Sequence, residues 1–319
     1  MSDIPKVDVH HHILPKEVAG IAHGLKGMKV PDWDYAGDKS FSESIGVRTR
    51  IFSVSTPGVT HISDPEESAA AARSMNEYCA TLRDKDPHSC GFFATVPSLE
   101  YTDLVLRELR YAFDNLHADG VTLFTRYGKG DGYLGHPDYV PVWEELNARK
   151  AVVFVHPLNN KTGELFNDKL PMPAFDWPHE TGRTAMDMIL NKRLQQFPNV
   201  KIILSHAGGT LPLLARRATM IELPEFGSAM SAEDILGQAK RFYFDLALSG
   251  SPEVLPLILG FAGKGHVLFG SDYPHATVPF SKRFTKFIDE YSMDEDTRKE
   301  VYYGAAEKLF PRLKGLYGV

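Results

Sequence analysis

Three consecutive histidines stand inside the run Val7-Asp8-Val9-His10-His11-His12-Ile13-Leu14-Pro15. The β-branched residues before them and Pro15 after them predict a short strand running into a loop. Side chains alternate faces along a strand, which places Asp8, His10 and His12 on one side and Val7, Val9 and His11 on the other. Two imidazoles on one side of a strand end can grip one metal ion. A tag remnant would lack this apolar setting. A lone H-x-H still needs further ligands, and three later strand candidates supply them. His156 follows residues 151–155, His206 follows 201–205 and Asp272 follows 266–270. Each alone reads equally as a hydrogen-bonded loop residue or a turn residue. Together, at the ends of several strands, they predict one shared metal site.

Other residues could line such a site. Arg126 follows residues 120–125 and could clasp a carboxylate with its planar fork, or be a surface arginine. Phe166, Phe175, Trp177, Tyr273 and His275 are candidates for walls around a flat ring, or for ordinary packing. Asp245 and Glu180 could orient histidines as acceptors behind the ligands.

The elements that must position these residues alternate in type. Strand candidates at 49–55, 92–96, 120–125, 151–155, 201–205, 242–246 and 266–270 follow the first one. Helical patterns at 64–84, 101–115, 139–149, 180–197 and 211–221 fall between them, the first with Asp64 as N-cap and Pro65 opening the helix. This alternation predicts a (β/α)8 barrel, which carries its active site at the C-terminal ends of the strands. An excursion over 20–39 follows the first strand. The stretch 158–178 is too long for a plain connector and reads as a flap after the fifth. Residues 1–319 form a single domain in this reading.

Composition agrees with a globular enzyme. Of 319 residues 43% are hydrophobic and 24% charged, and a net charge of -6 without a basic block argues against nucleic acid. No apolar run reaches membrane-spanning length. Two cysteines, Cys79 and Cys90, imply no disulfide framework and fit a reducing, cytoplasmic setting.

The motifs V-D-V-H-H-H-I-L-P, V-F-V-H-P, E-T-G-R-T-A, I-I-L-S-H-A-G-G-T-L-P and L-F-G-S-D-Y-P resemble the amidohydrolase superfamily, in order from residue 7 to residue 274. Within it they look like the aminocarboxymuconate-semialdehyde and salicylate-type decarboxylases. Stretches 121–147 and 242–251 look most like fungal decarboxylases of 6-methylsalicylate. The resemblance implies that His10, His12, His156 and Asp272 bind one divalent metal, zinc or else manganese. It implies that Asp272 protonates the ring and that His206 handles protons beside it. Arg217 matches an arginine of the muconate group. The superfamily's two-metal members carry a lysine on the fourth strand, absent from Val121-Thr122-Leu123-Phe124-Thr125, so one metal is expected. Relatives are often homodimers, and a homodimer is expected here. The implied reaction is decarboxylation of a small ortho-hydroxylated aromatic acid, 6-methylsalicylate giving 3-methylphenol. The alternative is hydrolysis of a lactone or amide by metal-bound water.

Overall fold

The computed structural model describes residues 4–16, 30–128, 132–160, 162–227 and 230–317. Residues 20–29 of the expected excursion over 20–39 lie outside them.

Strand β1 (Lys6–His12) is buried along its whole length. Helix α1 (Tyr35–Ser44), strand β2 (Val47–Ser53) and helix α2 (Pro65–Lys85) follow. Asp64 caps α2 by accepting from Glu67 N, with Pro65 at the first helical position, where no N–H is missed. Then come β3 (Cys90–Ala94), α3 (Thr102–Asp114), β4 (Gly120–Phe124), the small hairpin β5 (Arg126–Tyr127) and β6 (Gly132–Tyr133), and α4 (Val140–Ala148). The second half holds β7 (Val152–His156), α5 (Met172–Leu190), α6 (Arg193–Gln196), β8 (Lys201–Leu204), α7 (Leu211–Ala218), α8 (Ala232–Ala239), β9 (Tyr243–Asp245), α9 (Val254–Phe261), β10 (Val267–Leu268) and α10 (Val278–Glu290).

Eight of these strands form one sheet in the order β1-β2-β3-β4-β7-β8-β9-β10, every neighbour pair parallel. The chain after β10 meets β1 again: Val9 N donates to Phe269 O, Asp272 N to His10 O and His12 N to Tyr273 O. The predicted (β/α)8 barrel is therefore the observed fold. Phe154, Ile203 and Leu268 pack with Phe310 and Leu313 of the chain's end in one buried cluster, so the barrel is a filled core.

Two local readings change. Helix α5 begins at Met172, so Phe175 and Trp177 stand on a helix and the preceding connection is shorter than expected. The Pro-rich run Pro171-Met172-Pro173 reads as loop, yet a proline in a first helical turn costs nothing because its N–H would be unpaired there. Pro178 sits inside the same helix, and its carbonyl accepts from Thr210 N at 3.0 Å. The second change lies in β1. Its ladder with β2 slips between Asp8 and His11. Asp8 therefore does not join His10 and His12: its Oδ2 meets His11 Nδ1 at 2.9 Å, and its Oδ1 accepts from the backbone of His10 and of Ser271. A slip of register breaks strict alternation.

Candidate metal centre

Each histidine of the cluster is held by its Nδ1. His10 Nδ1 donates to Asp245 Oδ2 at 3.0 Å, His156 Nδ1 to its own neighbour's carbonyl, Pro157 O, at 2.9 Å, and His12 Nδ1 lies 3.0 Å from Ser53 Oγ. A carboxylate and a carbonyl only accept, so His10 and His156 carry their proton on Nδ1 and turn Nε2 inward. These are the supports that metal-binding histidines usually have. His10 Nε2 and His12 Nε2 lie 3.2 Å apart, and both face Asp272 Oδ1, at 3.2 and 3.0 Å. One ligand atom from each of His10, His12, His156 and Asp272 falls within 4.8 Å of the others, and all four residues are buried.

The electrostatics state one demand. Burial works against charge on His10, but Asp245 and Asp272 outweigh it and push the ring up to about 10. Burial brings His12 down to about 3 and, with the surrounding imidazoles, takes His156 well below its usual value. Burial alone would raise Asp272, yet His10, His12 and His206 hold it well below the carboxylate range. The neutral rings of His12 and His156, the raised ring of His10 and an ionised aspartate together call for positive charge among them. A divalent cation meets that demand, and the donor set fits one.

His206 stands beside this set. Its Nε2 is 3.9 Å from Asp272 Oδ2, and its N–H donates to Asp245 Oδ1 at 3.2 Å. Asp245 thus holds His10 with one oxygen and the backbone of His206 with the other. The turn is tight, with left-handed φ at His206, Ala207, Gly208 and Gly209. A Cβ on Gly209 would lie 2.0 Å from Pro178 O, so only glycine lets this turn approach α5. Asp272 is also left-handed, at φ 59°. Strain of this kind gathers at working sites.

A cavity of about 440 Å³ opens over the cluster. His156, His206 and Asp272 reach it from the barrel, and Trp177, Phe280 and Phe284 give it apolar walls. Of the predicted contacts, Trp177 and His275 line the cavity. Phe175 and Phe166 are more than half exposed and pack on each other. Tyr273 stacks on Phe41, away from the opening. Arg126 turns to the chain instead: its guanidinium donates to Asn159 O and Asn160 O, both at 2.8 Å. Asn159 Oδ1 in turn accepts from Trp177 Nε1 at 3.1 Å, and the Trp177 ring meets the His156 ring edge to face. Glu180 touches no ligand histidine; it accepts from Tyr133. Arg217 is exposed on α7.

Sequence reading missed Ser53, Thr56 and Asp38. Asp38 accepts from His11 Nε2, Trp33 Nε1 and Arg50 in a buried group behind β1. No spacing rule joins residue 38 to residue 11. Ser53 had one available signal, the end of a strand next to β1.

A parallel eight-stranded barrel with a His/Asp cluster at its strand ends is the architecture of a metal-dependent amidohydrolase-type enzyme. The amidohydrolase family model matches residues 7–312, and the chain belongs to that family. The 6-methylsalicylic acid decarboxylase of Penicillium expansum is 48% identical over 98% of both chains. That of Aspergillus aculeatus is 46% identical over 97% of both. Among solved structures, a dihydroxybenzoic acid decarboxylase from Polaromonas sp. JS666, with bound manganese and the inhibitor 2-nitroresorcinol, superposes at a TM-score of 0.80. It is 21% identical and covers 99% of each chain.

Proposed function

We propose that this chain is a carboxy-lyase: a metal-dependent, non-oxidative decarboxylase of 6-methylsalicylate, giving 3-methylphenol and CO2. The observation that carries the reading is a four-residue ligand set at the floor of an apolar-walled cavity. The relatives' activities, nearly full-length matches at close to half identity, favour it over hydrolysis of a lactone or amide.

His10, His12, His156 and Asp272 would hold one divalent ion. Three imidazoles and a carboxylate suit zinc, with manganese as the alternative. Such an ion would supply Lewis acidity at the floor of the cavity. Trp177, Phe280 and Phe284 hold the flat ring and exclude water. Asp272, ionised in the free site, takes a proton through His206 once substrate is bound and delivers it to the ring carbon bearing the carboxylate. The bond to the carboxylate then breaks, its electrons restore the aromatic ring, and CO2 leaves. His206 is placed for its part in that transfer, since its Nε2 faces Asp272 Oδ2.

The ortho hydroxyl gives the test its edge. As phenolate it feeds electrons to the carbon being protonated. 6-Methylsalicylate should lose CO2 without oxygen, NADH or pyridoxal phosphate, and in deuterated water 3-methylphenol should carry one deuterium at the vacated carbon. A 4-hydroxybenzoate and a 2-methoxy analogue should be poor substrates. Efficient turnover of the 2-methoxy compound, or lactone hydrolysis with no CO2 from any hydroxybenzoate, would overturn the reading.

We read the protein as a cytoplasmic homodimer. Both cysteines are free and buried, and no described helix is long and apolar enough to cross a membrane. Leu213, Met220, Leu223 and Phe226 are exposed after β8, the kind of patch a second copy covers. Light scattering tests the assembly.

A further inference from the structure

Strand β9 ends at Asp245, and the turn after it carries Leu248. Leu246 and Ala247 are fully buried, whereas Leu248 is half-buried and lines the cavity. Its backbone is left-handed, at φ 50°. That region is costly for a bulky side chain and persists only where the surroundings hold it. Two contacts hold it here. Ser249 N and Gly250 N both donate to Leu246 O, at 3.1 and 3.2 Å. Gly250 also lies against α10, so close that a Cβ there would be 2.5 Å from Ile288 Cγ1. Helix positions four apart share a face, which sets Phe280 and Phe284 on the face of Ile288. Both phenylalanines line the cavity, their rings 5.1 Å apart and edge to face. The contact of Gly250 with α10 therefore brings Leu248 to the same side of the cavity. None of the three apolar side chains joins a buried hydrophobic cluster of the described residues. Glycine or asparagine would take this backbone with less strain, so the leucine side chain needs something to touch, and the cavity is where that contact would be made.

We propose that Leu248, backed by Phe280 and Phe284, is the seat for the methyl group of the aromatic acid and the residue that tells methyl from hydroxyl at that ring position. This rests on the aromatic-acid reading above and adds its specificity-determining residue. A methyl group gains by leaving water for such a seat. A hydroxyl of nearly the same size gives up its hydrogen bonds to water there, and leucine and phenylalanine side chains return none. The chain should therefore take ortho-hydroxylated acids with an alkyl group on the other side of the carboxylate and discriminate against those with a second hydroxyl.

The test uses two ligands that cannot lose CO2, because a nitro group stands where the acid has its carboxylate. One is 2-nitroresorcinol, the inhibitor bound in the Polaromonas structure. The other is 3-methyl-2-nitrophenol, which differs from it only by a methyl in place of one hydroxyl. Isothermal calorimetry on the metal-loaded full chain would give the ratio of their affinities. Comparing that ratio between variants cancels what is intrinsic to the ligands. In Leu248→Asn, which suits the left-handed backbone and offers hydrogen bonds, the preference for the methyl compound should fall about tenfold or more, the scale on which an apolar pocket separates methyl from hydroxyl. Leu248→Gly, which suits the same backbone, should also lose preference, and if the asparagine variant does not fold it decides the matter alone. Ser249→Ala, on the same turn, should leave the ratio within about twofold. Equal weakening of both ligands in the Leu248 variants would mean a merely structural role and would overturn the proposal. So would an unchanged ratio, a shift in Ser249→Ala as large as theirs, or no binding of either ligand by the native chain. Neither ligand is turned over, so failure to release CO2 from 6-methylsalicylate would sink the decarboxylase reading while this ratio still decided the seat.

Discussion

Asp245 grips His10 through Oδ2, 3.0 Å from the ring Nδ1, in a place where both side chains are fully buried. Its other oxygen takes the N–H of His206 and that of Ala247. One carboxylate thereby fixes which ring nitrogen His10 turns inward and where the backbone of His206 sits. Removing its charge should disturb both. Asp245→Asn should weaken metal binding by about 10–100-fold, the usual effect of losing such a support. Titration with a competing chelator would measure it, and unchanged affinity would show that His10 needs no orienting partner.

The ligand assignment predicts a second outcome. Metal analysis of the purified chain should find one divalent ion per chain. His12→Ala and Asp272→Ala should each lose that ion and the activity while circular dichroism still reports a folded barrel. Full metal occupancy in either variant removes that residue from the ligand set. Stripping the native chain with a chelator and restoring zinc or manganese separately would identify the active ion.

His206 should behave differently. With its Nε2 facing Asp272 but outside the four-residue set, His206→Ala should keep the metal. Turnover should fall by about 10²–10⁴, the scale of a lost general acid or base. Loss of metal in that variant would make His206 a ligand.

Arg126 is predicted to act through Trp177. Its bonds to the carbonyls of Asn159 and Asn160 hold the segment whose Asn159 side chain receives the Trp177 indole. Arg126→Ala should therefore loosen the wall of the cavity and raise KM for the aromatic acid. Asn159→Ala, which removes the next link, should produce the same pattern with Arg126 in place. A lone effect of Arg126→Ala would point instead to direct contact with substrate.

Behind β1, Asp38 balances Arg50 at 2.7 Å and His11 at 2.7 Å with no exposure of its own. Asp38→Asn would leave the Arg50 guanidinium buried beside a neutral group. Breaking such a pair costs about 3–5 kcal/mol, read as a lower urea midpoint. A shift of less than about 1 kcal/mol would mean that water reaches Arg50 once the carboxylate is gone.

The barrel was legible in the sequence because it depends on local signals. The run Val152-Val153-Phe154-Val155 is apolar on both faces, as a covered parallel strand must be, and Asp64-Pro65 marks a helix start by capping chemistry alone. His10, His12, His156 and Asp272 could be grouped for the same reason: each stands near or just past the C-terminal end of a strand, and a barrel brings strand ends together. Three features were settled only by the folded chain. Register decided Asp8, because a slip in the β1 ladder turned it to His11, and alternation cannot foresee a slip. Helix packing decided Phe175 and Trp177: two residues apart on one helix, they face solvent and cavity, though their types are alike. Long-range pairing decided Arg126, Asp38 and Thr56. Their partners, or in the case of Thr56 the cavity it faces, come from distant parts of the chain, and such distances exist only once the barrel has closed.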